Sequence, residues 1–182
     1  MIDIEGEAAR PAAGRAAGGS LATGVLIGIG LVATLDEVVL HQLLDWHHFY
    51  DLPSRQGTAL TDRARRVGLL SDGLLHVVAT AVLVVGVLRL GNAGAVPAVL
   101  ASRRLWAGIC LGFGGFNLYD ATIQHKLLRL HQVRRDAVDQ LPYDLAFGGA
   151  ALVILLLGVW LLTTDNRRHP TAQPARTRAH QR

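Results

Sequence analysis

The chain has 182 residues, room for one domain of ordinary size. It is 51% hydrophobic and 18% charged, which excludes a disordered chain. Its net charge of +4 does not point to nucleic acid, because five arginines (Arg167, Arg168, Arg176, Arg178, Arg182) sit in a short polar tail and the others flank apolar segments. The single cysteine, Cys110, excludes an intrachain disulfide framework and a CxxC zinc or redox motif. The one methionine is the initiator, which excludes a Met-rich copper carrier.

In chain order, residues 1–19 mix Ala, Gly, Arg and acids and read as a disordered tail without a cleaved signal peptide. Four segments then have the length and apolar character of membrane helices, about 20 residues each. They run over about residues 20–44, 67–90, 105–128 and 143–162. Stretches such as VVATAVLVVGVL and LAFGGAALVILLLGVWLL have no polar face to offer water, which argues against a soluble helical bundle. Residues 164–182 read as a basic, disordered tail. The expected fold is all-α: an integral membrane four-helix bundle over residues 20–163.

Four spans put both termini on one side of the bilayer. That side carries 10 basic residues, and the side of loops 45–66 and 129–142 carries 8. The positive-inside rule therefore favours cytoplasmic termini in a bacterial inner membrane, with the loop side facing out.

The first and third helices match at an offset of 84 residues. Gly24, Gly28 and Gly30 align with Gly108, Gly112 and Gly114; Asp36 with Asp120; His41 with His125; His47 with His131. Asp72 and Asp144 extend the match to the second and fourth helices, with a first loop about 12 residues longer, although His76 has no counterpart. Two tandem helix hairpins follow, related by a pseudo-twofold axis along the membrane normal. Gly24-x3-Gly28 and Gly108-x3-Gly112 are expected to let helix backbones approach closely.

The ionisable residues of all four segments fall at the loop-side end. At about 1.5 Å rise per residue, Asp36 and Asp120 lie several ångströms inside the hydrocarbon core, Asp72 about 8 Å and His76 about 14 Å in from the loop-side end. Asp36, Glu37, His41, Asp72, His76, Asn117, Asp120, His125 and Asp144 thus converge on one end of a small bundle. Ionisable groups in a bilayer are costly and face an interior or a cavity. Glu37 and His41 are four apart, as are Asp72 and His76, so each pair shares a helix face. Asp36 and His41 are five apart, about 140° around a regular helix. Both can face the axis only if the helix is distorted there.

Three readings of this convergence stand. Asp–His hydrogen bonds could simply hold the helices together. A transition metal, zinc, iron or copper, could be held by neutral imidazoles and carboxylates, and its charge would offset the burial of the acids. A proton relay or haem is the third, although haem explains no carboxylates. The ligand set expected for the metal reading is His41, His76 and His125, with Asp36, Asp72 and Asp120 as ligands or as partners that orient the imidazoles. His47 and His131 would be outer ligands. Cys110 lies in the other half of its helix and reads as packing.

The blocks DEVVLHQLLDWHH, SDGLLH, FNLYDATIQHKLLRLHQVR and YDLAFG resemble a bacterial family of predicted membrane proteins, domain of unknown function 2243. The likeness covers about residues 20–163. It implies a membrane location and names no reaction. In the family's third-helix block an acidic residue precedes two His-His pairs. Here the second members are Lys126 and Gln132, which leaves Asp120, His125 and His131 in the pattern. The functions that follow are a metal-binding or metal-handling membrane protein, a membrane-embedded metal-dependent hydrolase or oxidase, or a non-catalytic interaction subunit. The bilayer is the expected partner, with a partner membrane protein or a second copy also open. The apolar far half of all four helices argues against transport across the membrane.

Overall fold

The computed structural model describes residues 5–51 and 61–168, with residues 5–18 and 168 described by backbone alone. The described residues contain helices and no strand. α1 (Glu5–Asp36) runs directly into a π-helical segment, π1 (Glu37–Leu43). α2 (Asp62–Gly91) follows, then the short α3 (Val96–Leu100). α4 (Arg103–Tyr119) runs into a second π-helical segment, π2 (Asp120–Leu127), and α5 (Leu141–Arg168) closes the described chain.

The helices overrun the expected bounds, and α3 was not expected. α1 begins at Glu5, within the segment read as a tail, where alanine is the strongest helix former available. α2 begins at Asp62 because the Thr61 hydroxyl accepts a hydrogen bond from the Ala64 amide at 3.2 Å and caps it. α5 continues to Arg168, held at its end by Arg104, which donates to Asp165 (2.8 Å) and Asn166 (2.6 Å). The rest of the C-terminal tail, 169–182, lies outside the described residues.

Three helices are long and apolar enough to cross a membrane: Gly19–Leu43, Asp62–Gly91 and Leu141–Arg167. The expected third span, over 105–128, falls short of that standard, and its packing gives the reason. α4 lies between α1 and α5, so its sides meet protein rather than lipid, and glycines and buried polar groups replace apolar bulk. α1 lies likewise between α2 and α4. α2 and α5 are peripheral and expose large apolar side chains such as Leu74, Val77, Val153 and Leu156 along their outer faces.

Glycines set the approach of the two inner helices. A Cβ at Gly24 would run into the Leu105 carbonyl oxygen and the Gly108 Cα; one at Gly108 would run into the Leu21 carbonyl oxygen and the Gly24 Cα. Gly28 and Gly112 face the opposite backbone in the same manner, at the carbonyls of Ile109 and Val25. The expected packing role of both G-x3-G pairs is therefore observed. The outer helices seat on the inner ones through Gly30 against Leu83 and Gly114 against Leu155. Each of these contacts has a counterpart 84 residues on in the inner helices (Gly24 and Gly108, Gly30 and Gly114) and 72 residues on in the outer ones (Leu83 and Leu155).

Candidate metal centre

The π segments solve the spacing problem of Asp36 and His41. A π-helix closes its hydrogen bonds between residues five apart and appears most often at functional sites. Here the Leu44 amide bonds the Val39 carbonyl at 3.0 Å, and the Leu128 amide bonds that of Ile123 at 2.7 Å. The widened turn brings residues five apart onto one face. His41 Nε2 then lies 3.3 Å from Asp36 Oδ2, and His125 Nε2 lies 3.0 Å from Asp120 Oδ2.

Just past each π segment stands a residue of left-handed backbone, Asp45 (φ 49°) and Arg129 (φ 53°), a conformation common beyond a helix C-terminus. The chain turns there, and the next residues fold back over the helix ends. The two loops cross and exchange backbone hydrogen bonds: the Asp51 amide donates to the Leu130 carbonyl at 3.1 Å, and that of Arg135 to Trp46 at 2.8 Å. His47 and His131 are thereby turned inward and stacked, with ring centroids 4.7 Å apart and planes 10° from parallel. His41 meets His47 edge-on at 4.4 Å, and His125 meets His131 edge-on at 4.5 Å. All four imidazoles are buried.

α2 contributes Asp72, which is buried and bonded on every side. It accepts from His41 Nδ1 (3.1 Å), His48 Nδ1 (2.6 Å) and the Phe49 amide (2.7 Å). Gly68, one turn earlier, makes room for the His48 ring, which any side chain there would strike. Glu37 Oε2 also lies 2.9 Å from His41 Nδ1.

Several ring nitrogens are left with no hydrogen bond. They are His41 Nε2, His47 Nε2, both nitrogens of His125, and His131 Nδ1. The carboxylate oxygens near His41 Nε2 and His125 Nε2 are close, yet they do not form aligned hydrogen bonds. Unpaired buried polar atoms are costly and rare, and a neutral imidazole offers a metal the lone pair on one of its two nitrogens. The Nδ1 of His47 bonds the Val133 carbonyl at 2.8 Å, which leaves its Nε2 as the bare nitrogen. Burial holds the His47 imidazole well below its usual pKa, and the neighbouring imidazoles push it further down. His48 moves the other way, raised by its hydrogen bond to Asp72.

Three groups of side chains bring ligand atoms within 4.8 Å of one another: Asp36, His41 and His47; His47, His125 and His131; and Glu37, His41 and Asp72. Asp120 adjoins the second, 3.6 Å from His131 Nε2. Of the eight expected residues, seven therefore meet in one cluster. His47 and His131, expected at the rim, stand at its centre.

His76 does not join it. It is exposed on α2. The buried seam of α2 passes through Gly68, Asp72, Ala79 and Gly86. At about 100° per residue the other three lie about 20–40° to one side of Asp72, and His76 lies about 40° to the other. Asp144 is also apart, paired with Lys126. His48 and Gln124 are buried at the cluster's edge without having been expected there. The signal for His48 was Gly68, spaced four residues from Asp72.

Residues 23–165 match the model of a family described as predicted membrane protein, domain of unknown function 2243. The chain belongs to that family. No curated protein and no solved structure matches it. The match to domain of unknown function 2243 spans every residue of the cluster and agrees with the apolar outer faces of α2 and α5, which imply contact with a bilayer.

Proposed function

We propose that this protein binds a transition metal in the His/Asp cluster at the loop-side end of its helices, and that its role is metal binding or metal handling in a membrane. The observation that carries this is the set of buried, unpaired imidazole nitrogens on His41, His47, His125 and His131, gathered beside Asp36 and Asp120. Neutral imidazole with carboxylate suits zinc, iron or copper. His41 has the arrangement typical of a metal-bound histidine: one nitrogen to carboxylates, the other free.

The same reading takes the molecule as a four-helix bundle of two tandem hairpins with a pseudo-twofold axis along the membrane normal. It is supported by the 84- and 72-residue recurrence of helix contacts, by the paired π segments and left-handed turns, and by the reciprocal loop hydrogen bonds. The axis would pass between the stacked rings of His47 and His131. The bacterial inner membrane, with termini inside and the cluster near the outer face, completes the proposal on the charge count.

Elemental analysis of the detergent-purified protein tests it, beside a His41→Ala/His125→Ala double variant. One or two equivalents of zinc, iron or copper, lost in the double variant, is the expected result. No metal in either protein, with unchanged thermal stability, would leave the cluster as interhelical glue. The three bonds of Asp72, which tie α2 to the first loop, favour that second reading of at least this one residue.

A further inference from the structure

The two halves of the cluster share a ligand pattern but differ in what surrounds it. Resting on the metal reading above, we infer that the centre holds two ions, one in each half, and that the halves differ in affinity. The first ion takes Asp36, His41 and His47. The second takes Asp120, His125 and His131.

Each trio has a carboxylate and two imidazoles in the same relation. His41 Nε2 stands 3.3 Å from Asp36, and His125 Nε2 stands 3.0 Å from Asp120. The edge-on ring pairs are 4.4 and 4.5 Å across. The stacked rings of His47 and His131 lie where the trios meet, and His47 also brings a ligand atom within 4.8 Å of those of His125 and His131. Two trios, each with buried ring nitrogens that make no hydrogen bond, suit two ions rather than one.

The surroundings divide them. In the first half Glu37 and Asp72 both approach His41 Nδ1, at 2.9 and 3.1 Å. Asp72 accepts the Nδ1 hydrogen bond and raises the basicity of Nε2 toward the ion. Glu37 and Asp72 together add two buried negative charges that a cation offsets. In the second half alanine, Ala121, stands 84 residues on from Glu37. Asp144, 72 residues on from Asp72, is drawn off by Lys126. His125 Nδ1 has no hydrogen bond, and the Phe147 ring lies 5.6 Å from the His125 ring. Loss of such orienting carboxylates elsewhere lowers metal affinity about 10–100-fold. The second ion is accordingly the weaker and exchangeable one.

The test is an optical titration of the full-length, detergent-purified, chelator-stripped protein with Co²⁺, whose ligand-field bands report nitrogen and oxygen donors. The wild type should bind two equivalents in steps about 10–100-fold apart. Asp120→Asn should remove the weak step and leave the tight one. Asp72→Asn should weaken the tight step about 10–100-fold and leave the weak one. Ala121→Glu should tighten the weak step, a gain that misfolding cannot mimic; circular dichroism checks that each variant keeps its helices. A single equivalent in the wild type would overturn the two-ion inference and leave the metal reading intact. Two steps of equal affinity, or no gain from Ala121→Glu, would overturn the inequality. No cobalt bound at all would overturn both readings.

Discussion

Asp72 accepts three hydrogen bonds that arrive from two directions. His41 reaches it from the neighbouring helix, and His48 with the Phe49 amide reaches it from the loop above. One carboxylate therefore fixes both the orientation of a candidate ligand and the fold of the loop that carries His47. Sequence spacing located Asp72 and His41 but did not single out His48, because adjacent histidines say nothing of which will turn inward. The fold decides it through Gly68, whose missing side chain is filled by the His48 ring. The hydrogen bond to Asp72 raises the pKa of His48 above that of a free imidazole. A raised folded value means that the folded state holds the proton more tightly than the unfolded one. This contribution is full below about pH 6.5 and is lost as pH rises through the folded value. Thermal melts of wild type and His48→Gln from mildly acidic to alkaline pH should show a wild-type advantage that shrinks with rising pH. A difference constant with pH would remove the charged hydrogen bond from the account.

At the scale of elements, the sequence exposed its own difficulty. Asp36 and His41, five apart, could not both face inward on a regular α-helix, and neither could Asp120 and His125. The structure meets this with a π segment in each place, so a conflict in periodicity was the readable sign of the distortion. The glycine pairs were equally legible, since only a backbone contact explains Gly-x3-Gly at matched positions in two apolar helices. What the sequence concealed was the rank of the helices. Hydropathy weighs a residue by type and cannot tell that α4 is enclosed by α1 and α5, so this segment was read as a span like the other three although it is the least apolar. It also could not orient α2 finely enough to exclude His76, about 80° around the helix from the seam's other edge. The helix contacts give a paired prediction. Gly108→Ala should destabilise by about 1–3 kcal/mol, because the added methyl would overpack against the Leu21 carbonyl and the Gly24 Cα. Gly149→Ala, with nothing within 4 Å of the new carbon, should be neutral or slightly stabilising, as alanine is the better helix former. Chemical or thermal denaturation in one detergent compares them. Equal effects would mean that α1 and α4 separate without cost.

At the scale of the molecule, the cluster is where the two ends of the chain's architecture meet. His41 and His125 come from the inner helices, His47 and His131 from the loops that cross above them, and Asp72 from an outer helix. An ion held by each trio ties an inner helix end to the loop that folds back over it. It also favours the folded chain, because the π-helical turn and that loop are what bring the carboxylate and the two imidazoles of each trio together. An ion that binds the folded state alone stabilises it by an amount set by its concentration over its dissociation constant, about 2.7 kcal/mol at a hundredfold excess. Chelator should therefore lower the melting temperature, and returning the metal should restore it. Acid should act in the same direction as chelator, because protonated imidazoles cannot ligate. The low pKa of buried His47 keeps its Nε2 available at neutral pH, so release should begin only as the solution becomes acidic. His76→Ala should melt and respond to chelator as the wild type does, since His76 stands exposed and apart from the cluster. A melting temperature indifferent to chelator, metal and His41→Ala alike would mean that glycine packing and hydrogen bonds suffice to hold the halves together. The histidines would then need another reason to be buried without partners.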